Sequence, residues 1–532
     1  MRGMRSDKLK AIFLLLWLWL PSLVVLTTDQ VQGAAAVFAL LAFSFLLLAA
    51  PIVPIARPRH YFLFLSPFAL LVAPYCFLTL AYHSVPGDAL IAAALNTNLS
   101  LTLDVLRSFG WIVWLVPLSL LIYLLLARSI SPTWRLAWAW RQCLLAGLLL
   151  YAMVGMLSRV LIGQRVNLPP MFEYSTASLS FPSGLALSLQ RIYSKHRGDE
   201  QFSSLHAYSA IGDQPLLVVL VLGESLRADH LGLYGYARAT TPRLSAMADE
   251  LLSFPDVVSS ANWTSHAVQV LSAWRTGAQQ ASLVGAFREA GFRTAWLSNQ
   301  NRFPQGRMAD VVEYGVDAQD FHNRTDANLM PMFTSFVRQA GPRQFVVLHM
   351  HGSHIPYDDR YEAAARKFTP TLRDLGISSP QPADKAATVN SYDNTVVATD
   401  DFLARVIAVL RQESRPAIML FTSDHGENLF DDERALWMHA QRGPTRADLQ
   451  VPLLVWANSA YRLQFSGVMG ALRQNRGRKI SHRQVFPTLM DIGGLAWDGR
   501  DPRLSFASAQ FEESRRMVQY DLDTQIDFEQ LR

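Results

Sequence analysis

Hydropathy divides the chain into two regimes. In the first third, residues 11–27, 34–56, 61–82, 111–127 and 136–162 are apolar runs approaching the ~20 residues that a helix needs to cross a bilayer core. The first and fourth are short, and Arg141 near the start of the fifth is tolerable if its head snorkels to the interface. Five spans are expected, with four as the nearest alternative. From Pro215 onward the pattern changes. Residues 216–222, 293–298, 344–350, 417–421 and 450–456 are short, nearly continuous apolar runs, as in strands covered on both faces. Residues 282–290 and 389–412 carry helical spacing between them. Alternation of this kind predicts a layered α/β domain with a mainly parallel sheet, its functional groups at the carboxyl ends of the strands.

The expected organisation is a transmembrane helical domain over 1–165, a connector over 166–214 and an exported catalytic domain over 215–532. The connector is rich in Pro, Ser and aromatics, and 185–195 within it could lie as a helix along the bilayer surface. Residues 516–520 suggest one late strand.

Charge adds an orientation. Arg2, Arg5, Lys8 and Lys10 precede the first span, Arg57 and Arg59 the third, and Arg128 and Arg135 the fifth, whereas 28–33 has no basic residue and the next alternate loop only Arg107. Basic loops stay cytoplasmic, so an odd number of spans carries the C-terminal domain to the far side. A cleaved signal peptide would be the simpler reading of the first span, but the four further spans weigh against it. The net charge of +5 is largely membrane-flanking and does not indicate a nucleic-acid partner. Both cysteines, Cys76 and Cys143, fall in predicted spans, so the exported domain has no disulfide.

The candidate chemistry sits where strands end. Thr422-Ser423-Asp424-His425-Gly426-Glu427 follows the run 417–421 and places a carboxylate beside an imidazole, both zinc ligand types. Adjacent residues of a strand face opposite ways, so the two can share a metal only in a turn, for which Gly426 offers freedom. Glu224 ends the run 216–222; a plain helix-capping acid is its simpler reading, because Ser225-Leu226-Arg227 opens a helical pattern. Thr264 and Ser265 precede a helical run, where a hydroxyl is commonly an N-cap; bound to a metal it becomes a strong nucleophile. Residue chemistry leaves the choice between Thr264 and Ser265 open. His351 and His354 leave a strand end, His349 points into the sheet layer, and His439 follows Asp424 and His425 in a loop. Histidines facing a phosphoryl group can stabilise its oxygens, move a proton or hold a second metal. His230 is expected to support the segment after Glu224.

Several ordered motifs resemble bacterial phosphoethanolamine transferases of the alkaline phosphatase and sulfatase superfamily. They are Gly223-Glu224-Ser225-Leu226-Arg227-Ala228-Asp229-His230, Trp296-Leu297-Ser298-Asn299-Gln300, His349-Met350-His351-Gly352-Ser353-His354, Tyr392-Asp393-Asn394-Thr395, Ser423-Asp424-His425-Gly426-Glu427 and Ser481-His482. The resemblance implies zinc ligands at Glu224, Thr264, Asp424 and His425, with Thr264 as nucleophile and His354 and His439 facing the transferred group. It implies one zinc ion, with a second possible. It implies transfer of phosphoethanolamine from phosphatidylethanolamine in the bacterial inner membrane to lipid A, lipopolysaccharide core or another glycan, through a zinc-bound phosphothreonine in a periplasmic domain. A phosphoglycerol transferase or a sulfatase- or phosphodiesterase-like hydrolase on the same fold is the alternative, and a catalytically silent scaffold a further one. No Cys/Ser-x-Pro/Ala-x-Arg segment follows Trp263, which disfavours a sulfatase nucleophile. The chain departs from the family in lacking disulfides, in lacking a cysteine after Thr264, and in lacking a glutamate in Leu95-Asn96-Thr97-Asn98-Leu99-Ser100.

Overall fold

The computed structural model describes residues 2–28, 31, 33–82, 85–88, 91, 113–162, 179–199, 202–276, 279–300, 303–315, 325–339, 341–441, 443–521 and 524–531. The loop around Asn96, Arg107 and most of the connector's first half lie outside the described residues. Two compact units are present, one formed by Met1–Ile91 and Phe109–Tyr193, the other principally by Ser194–Arg532.

In the first unit, Arg5–Thr27 and Ala34–Ile55 are long and apolar enough to cross a membrane. Pro58–Phe64 and Ser66–Leu80 form a pair bent by 57°, which counts as a third if it is one span. Leu115–Ser129 is shorter, at 15 residues, and Trp138–Ile162 has 25. Thus two spans are clear by length and composition where five were expected. The break falls at Leu65 with Ser66-Pro67 following, a residue that cannot continue the hydrogen-bond ladder. Two buried phenols inside this unit are bonded to backbone: Tyr61 OH donates to Leu48 O at 2.8 Å and Tyr123 OH to Phe62 O at 2.9 Å. Arg141 Nε donates to Val53 O at 2.7 Å. The helix Ser183–Asp199 covers the expected amphipathic segment, with Leu189 and Tyr193 exposed.

The second unit is built on a seven-stranded sheet. Its strands are β1 (Leu216–Gly223), β2 (Leu251–Phe254), β3 (Arg293–Ser298), β4 (Val311–Tyr314), β5 (Arg343–His349), β6 (Ala417–Ser423) and β7 (Leu453–Ala457), in the spatial order β2-β7-β6-β1-β5-β3-β4. Strands β6, β1, β5, β3 and β4 are mutually parallel, and β7 and β2 extend one edge antiparallel, so the sheet is mixed. All eight residues of β1 and all seven of β6 are buried, as their unbroken apolar runs require. The pairing register fixes the site: Ser423 lies opposite Gly223 and His349 opposite Leu222. The residues that follow β1 and β6 therefore emerge side by side at the carboxyl end. The late strand is the first arm of a hairpin, Met517–Asp521 with Thr524–Asp527. Tyr208–Ser209 pairs with Leu495–Ala496, so the chain already packs on this unit before the first long strand.

Candidate active site

Glu224, Asp424 and His425 are fully buried where β1 and β6 end, and their ligand atoms lie within 4.8 Å of one another. Thr264 is the first residue of the helix Thr264–Ser272. Its Oγ1 sits 3.3 Å from each carboxylate oxygen of Glu224 and 3.1 Å from His425 Nε2. The structure thus brings Thr264, of the two adjacent hydroxyls, onto the cluster. Helix N-termini favour negative charge at this position. On the open side stand His354 and His439, each only partly buried; with Glu224 they form a second group of potential ligand atoms within 4.8 Å.

Each imidazole is held by one nitrogen. His425 Nδ1 meets Gly426 O at 2.8 Å and His354 Nδ1 meets Ile355 O at 2.7 Å. A carbonyl can only accept, so both Nδ1 atoms carry the proton and both Nε2 atoms keep an unprotonated lone pair, that of His425 facing Thr264 Oγ1. Arg360 fixes the His354 turn by donating from Nε to His354 O at 3.0 Å and from Nη2 to Ile355 O at 2.8 Å. His439 Nδ1 lies 3.1 Å from Glu427 Oε1. Burial lowers the pKa of all three, His354 to about 3 with help from Arg360, and His439 to about 4 against the pull of Asp424. They are neutral at neutral pH.

The carboxylates crowd one another. Burial, then Asp424, holds the Glu224 carboxyl well above the usual range. Asp424 is lowered, because His425 and the backbone N–H groups of Ser225 and His425 outweigh burial. Asp424 Oδ2 is buried and meets no hydrogen-bond donor. Two carboxylates and an imidazole with a free Nε2, one carboxylate oxygen unpartnered, fit a divalent zinc-type cation.

Other expectations meet specific outcomes. Gly426 is needed for space, not for left-handed freedom: a Cβ there would lie 2.1 Å from Ala447 O. No α-helix follows Glu224, because Ser225 has φ +54°, and only the short 3₁₀ turns Ala228–His230 and Gly232–Tyr234 form. His230 is indeed a support, its Nδ1 2.7 Å from Asp393 Oδ1. His349 is buried, with Nδ1 3.4 Å from Ser298 Oγ and its ring against Trp296 and Phe303. Three contributors were not singled out. Gln300 Nε2 donates to Glu224 Oε2 at 2.8 Å, Glu427 orients His439, and Asn262 ties the segment before Thr264 to the His439 loop through Ala440 N at 2.9 Å and Gln441 O at 2.9 Å. Gln300 and Glu427 stood inside quoted motifs, but Asn262 carried no sequence signal beyond proximity to Thr264.

An α/β sheet with acids, an imidazole and a threonine that opens a helix gathered at its carboxyl edge defines a phosphatase- or sulfatase-like centre. The sulfatase family model matches residues 217–495, and the chain belongs to that family. Phosphoethanolamine transferase EptC of Escherichia coli O18:K1:H7 is 28% identical over 350 residues, covering 60% of this chain and 58% of the relative. The chain therefore matches less than two thirds of that relative's length. The periplasmic domain of Escherichia coli EptC, solved in complex with Zn, aligns at 27% identity with a TM-score of 0.55, over 61% of this chain and 96% of that one. The integral membrane lipooligosaccharide phosphoethanolamine transferase A of Neisseria meningitidis shares the fold at 24% identity and a TM-score of 0.71, over 89% of this chain and 92% of that one.

Proposed function

We propose that the chain is a membrane-anchored phosphoethanolamine transferase in which Thr264 is the nucleophile. The observation that carries this reading is the convergence of Thr264 Oγ1 on Glu224 and His425 at the carboxyl ends of two adjacent strands. The resemblance to EptC in sequence and structure supports the same chemistry. Five spans, a cytoplasmic N-terminus and a periplasmic catalytic domain in a bacterial inner membrane complete the reading. The donor is phosphatidylethanolamine, and the acceptor is lipid A, lipopolysaccharide core or another glycan.

Glu224, Asp424, His425 and Thr264 Oγ1 would hold one zinc ion, whose Lewis acidity lowers the pKa of the threonine hydroxyl and offsets phosphoryl charge. Thr264 Oγ1 attacks the donor phosphorus in line, the P–O bond to the lipid glycerol breaks, and diacylglycerol leaves with a proton. The acceptor's oxygen then attacks the phosphothreonine and restores the hydroxyl. His354 and His439, on the open side, face the phosphoryl oxygens. With its Nδ1 committed to Ile355 O, His354 can take the acceptor's proton on Nε2. Glu427 holds the His439 ring through its Nδ1.

The test is intact-protein and peptide mass spectrometry of the full-length protein in lipid micelles. Incubation with phosphatidylethanolamine should leave a phosphoethanolamine adduct on Thr264. The adduct should disappear with a zinc chelator and in Thr264→Ala. An adduct formed only from phosphatidylglycerol would replace the transferred group with phosphoglycerol, and an adduct retained in Thr264→Ala would remove the nucleophile assignment.

A further inference from the structure

Glu224 is followed by a residue in an unusual conformation. Ser225 has φ +54° although it carries a side chain, a region that L-residues other than glycine enter at a cost. Such a backbone persists only where its surroundings dictate it. On one side of the Ser225 Cα, its N–H donates to Asp424 Oδ1 at 3.0 Å. On the other, its carbonyl accepts from Tyr392 OH at 2.7 Å. The same phenol oxygen accepts from Arg227 N at 2.9 Å, so one hydroxyl closes the turn from residue 225 to 227.

Tyr392 itself is tightly packed. It is fully buried, it sits in the long helix Lys385–Arg411, and its ring meets His230 and Tyr357 edge-on. The next residue, Asp393, is tied to His230, Tyr236 and Arg238. The two peptide groups flanking Ser225 are thus fixed from opposite sides, and together they set the dihedrals that aim the preceding carboxylate. Ser225 Oγ adds a third restraint, donating to Glu224 Oε1 at 2.9 Å.

We propose that Tyr392 is a positioning residue of the metal centre, holding Glu224 in its ligating pose by clamping the left-handed Ser225 peptide. The inference rests on the reading of Glu224 as a zinc ligand. It assigns a purpose to Tyr392, whose hydroxyl bonds the backbone at Ser225 and Arg227. Removing the hydroxyl leaves the carbonyl of Ser225 and the N–H of Arg227 without their partner and frees the turn to relax towards negative φ.

The experiment measures zinc affinity by competition with a chromophoric chelator on full-length detergent-solubilised protein. Wild type, Tyr392→Phe, Ser225→Gly, the double variant and Glu224→Gln are compared. Loss of an outer partner of a metal ligand typically weakens binding by about 10–100-fold, and that loss is expected for Tyr392→Phe. Glycine adopts the left-handed conformation without a clamp, so in the Ser225→Gly background the same change should weaken binding by no more than about threefold. Wild-type affinity in Tyr392→Phe, with Glu224→Gln impaired, would overturn the positioning role while leaving the ligand assignment intact. Equal losses in both backgrounds would also overturn it, since Tyr392 would then act through packing alone. If Tyr392→Phe is too unstable to isolate, the double variant against Ser225→Gly decides equally well: a loss of about tenfold or more there overturns the clamp. Unchanged zinc affinity in Glu224→Gln would overturn the ligand reading, and the inference with it.

Discussion

Two glycines show how tightly the centre is framed. Gly426 lies between His425 and Glu427, its N–H donating to Asp448 O at 2.9 Å, and Glu427 N reaches Ala447 O at 3.2 Å. A Cβ at 426 would fall 2.1 Å from that same carbonyl oxygen, with the carbonyl carbon at 3.2 Å. The obstacle is backbone, so no rotamer relieves it. Gly352 is comparable: it has φ +50°, and a Cβ there would meet Glu224 O at 2.7 Å and Glu224 N at 2.8 Å. Gly426→Ala is therefore expected to cost roughly 1–3 kcal/mol, as overpacking does, and to displace His425 from Thr264. Thermal unfolding of the variant should show a lowered midpoint, together with weaker zinc retention. A variant that melts with wild type would mean that the 447–448 segment yields freely. The neutral histidines belong to the same scale. His425 and His354 expose Nε2 because a neighbouring carbonyl has claimed Nδ1, and burial then removes the charge that would compete with a metal or a phosphoryl group.

At the scale of elements, the helix Lys385–Arg411 does more than cover the sheet. It carries Tyr392 and Asp393 near one end and Asp400 further along. Asp400 is buried and accepts from Arg243 N at 2.9 Å and Leu244 N at 2.8 Å, holding the turn Pro242–Ser245. Burial raises its pKa from 3.8 to about 6 despite those donors. A carboxyl raised on folding favours the native state most when protonated. Its contribution is therefore greatest below pH 3.8, falls as pH rises towards about 6, and is constant above that. The swing is at most about 3 kcal/mol for a shift of this size. Asp400→Asn removes the titration, so its melting midpoint relative to wild type should climb between pH 4 and pH 6 and then level off; parallel curves would show that Asp400 is not desolvated.

Element identity was largely legible because burial on both faces writes an unbroken apolar run, as at 216–222 and 417–421. The edge strands Leu251–Phe254 and Val311–Tyr314 escaped, being short and only partly buried, with burial that neither alternates nor runs unbroken. The ligand types at Glu224, Asp424 and His425 were legible from their places at strand ends. The left-handed Ser225 and the Tyr392 clamp were not, because they arise from side chains more than 160 residues apart meeting one backbone peptide.

At the scale of the whole molecule, the deciding property is parity, since an even or odd number of crossings determines which side of the membrane receives the catalytic domain. The bent pair Pro58–Phe64 and Ser66–Leu80 is one span or a re-entrant loop by its shape alone. The ion pair between Arg191 and Asp88 constrains the later crossings: Arg191 Nε donates to Asp88 Oδ2 at 2.7 Å and Nη2 to Oδ1 at 2.7 Å, with Asp88 buried. Residues so joined share one side, so the chain crosses an even number of times between them. If the crossings between them are those of the described helices Leu115–Ser129 and Trp138–Ile162, both cross or neither does, despite the 15-residue length of the first. The basic residues resolve the bent pair. With both later helices crossing, a spanning bent pair puts Arg57, Arg59, Arg128 and Arg135 all with the basic N-terminal tail, whereas a re-entrant one moves Arg128 and Arg135 to the opposite side, against the preference of short loops for cytoplasmic Lys and Arg. The expected count is five, with the N-terminus and the catalytic domain on opposite sides. Fusions of a reporter active only outside the cytoplasm should be active at Gly33 and Gly87 and inactive at Arg57 and Ser131. Inactivity at Gly87 with activity at Ser131 would make the bent pair re-entrant. It would also leave Thr264 on the cytoplasmic side, where an envelope glycan acceptor could not reach it.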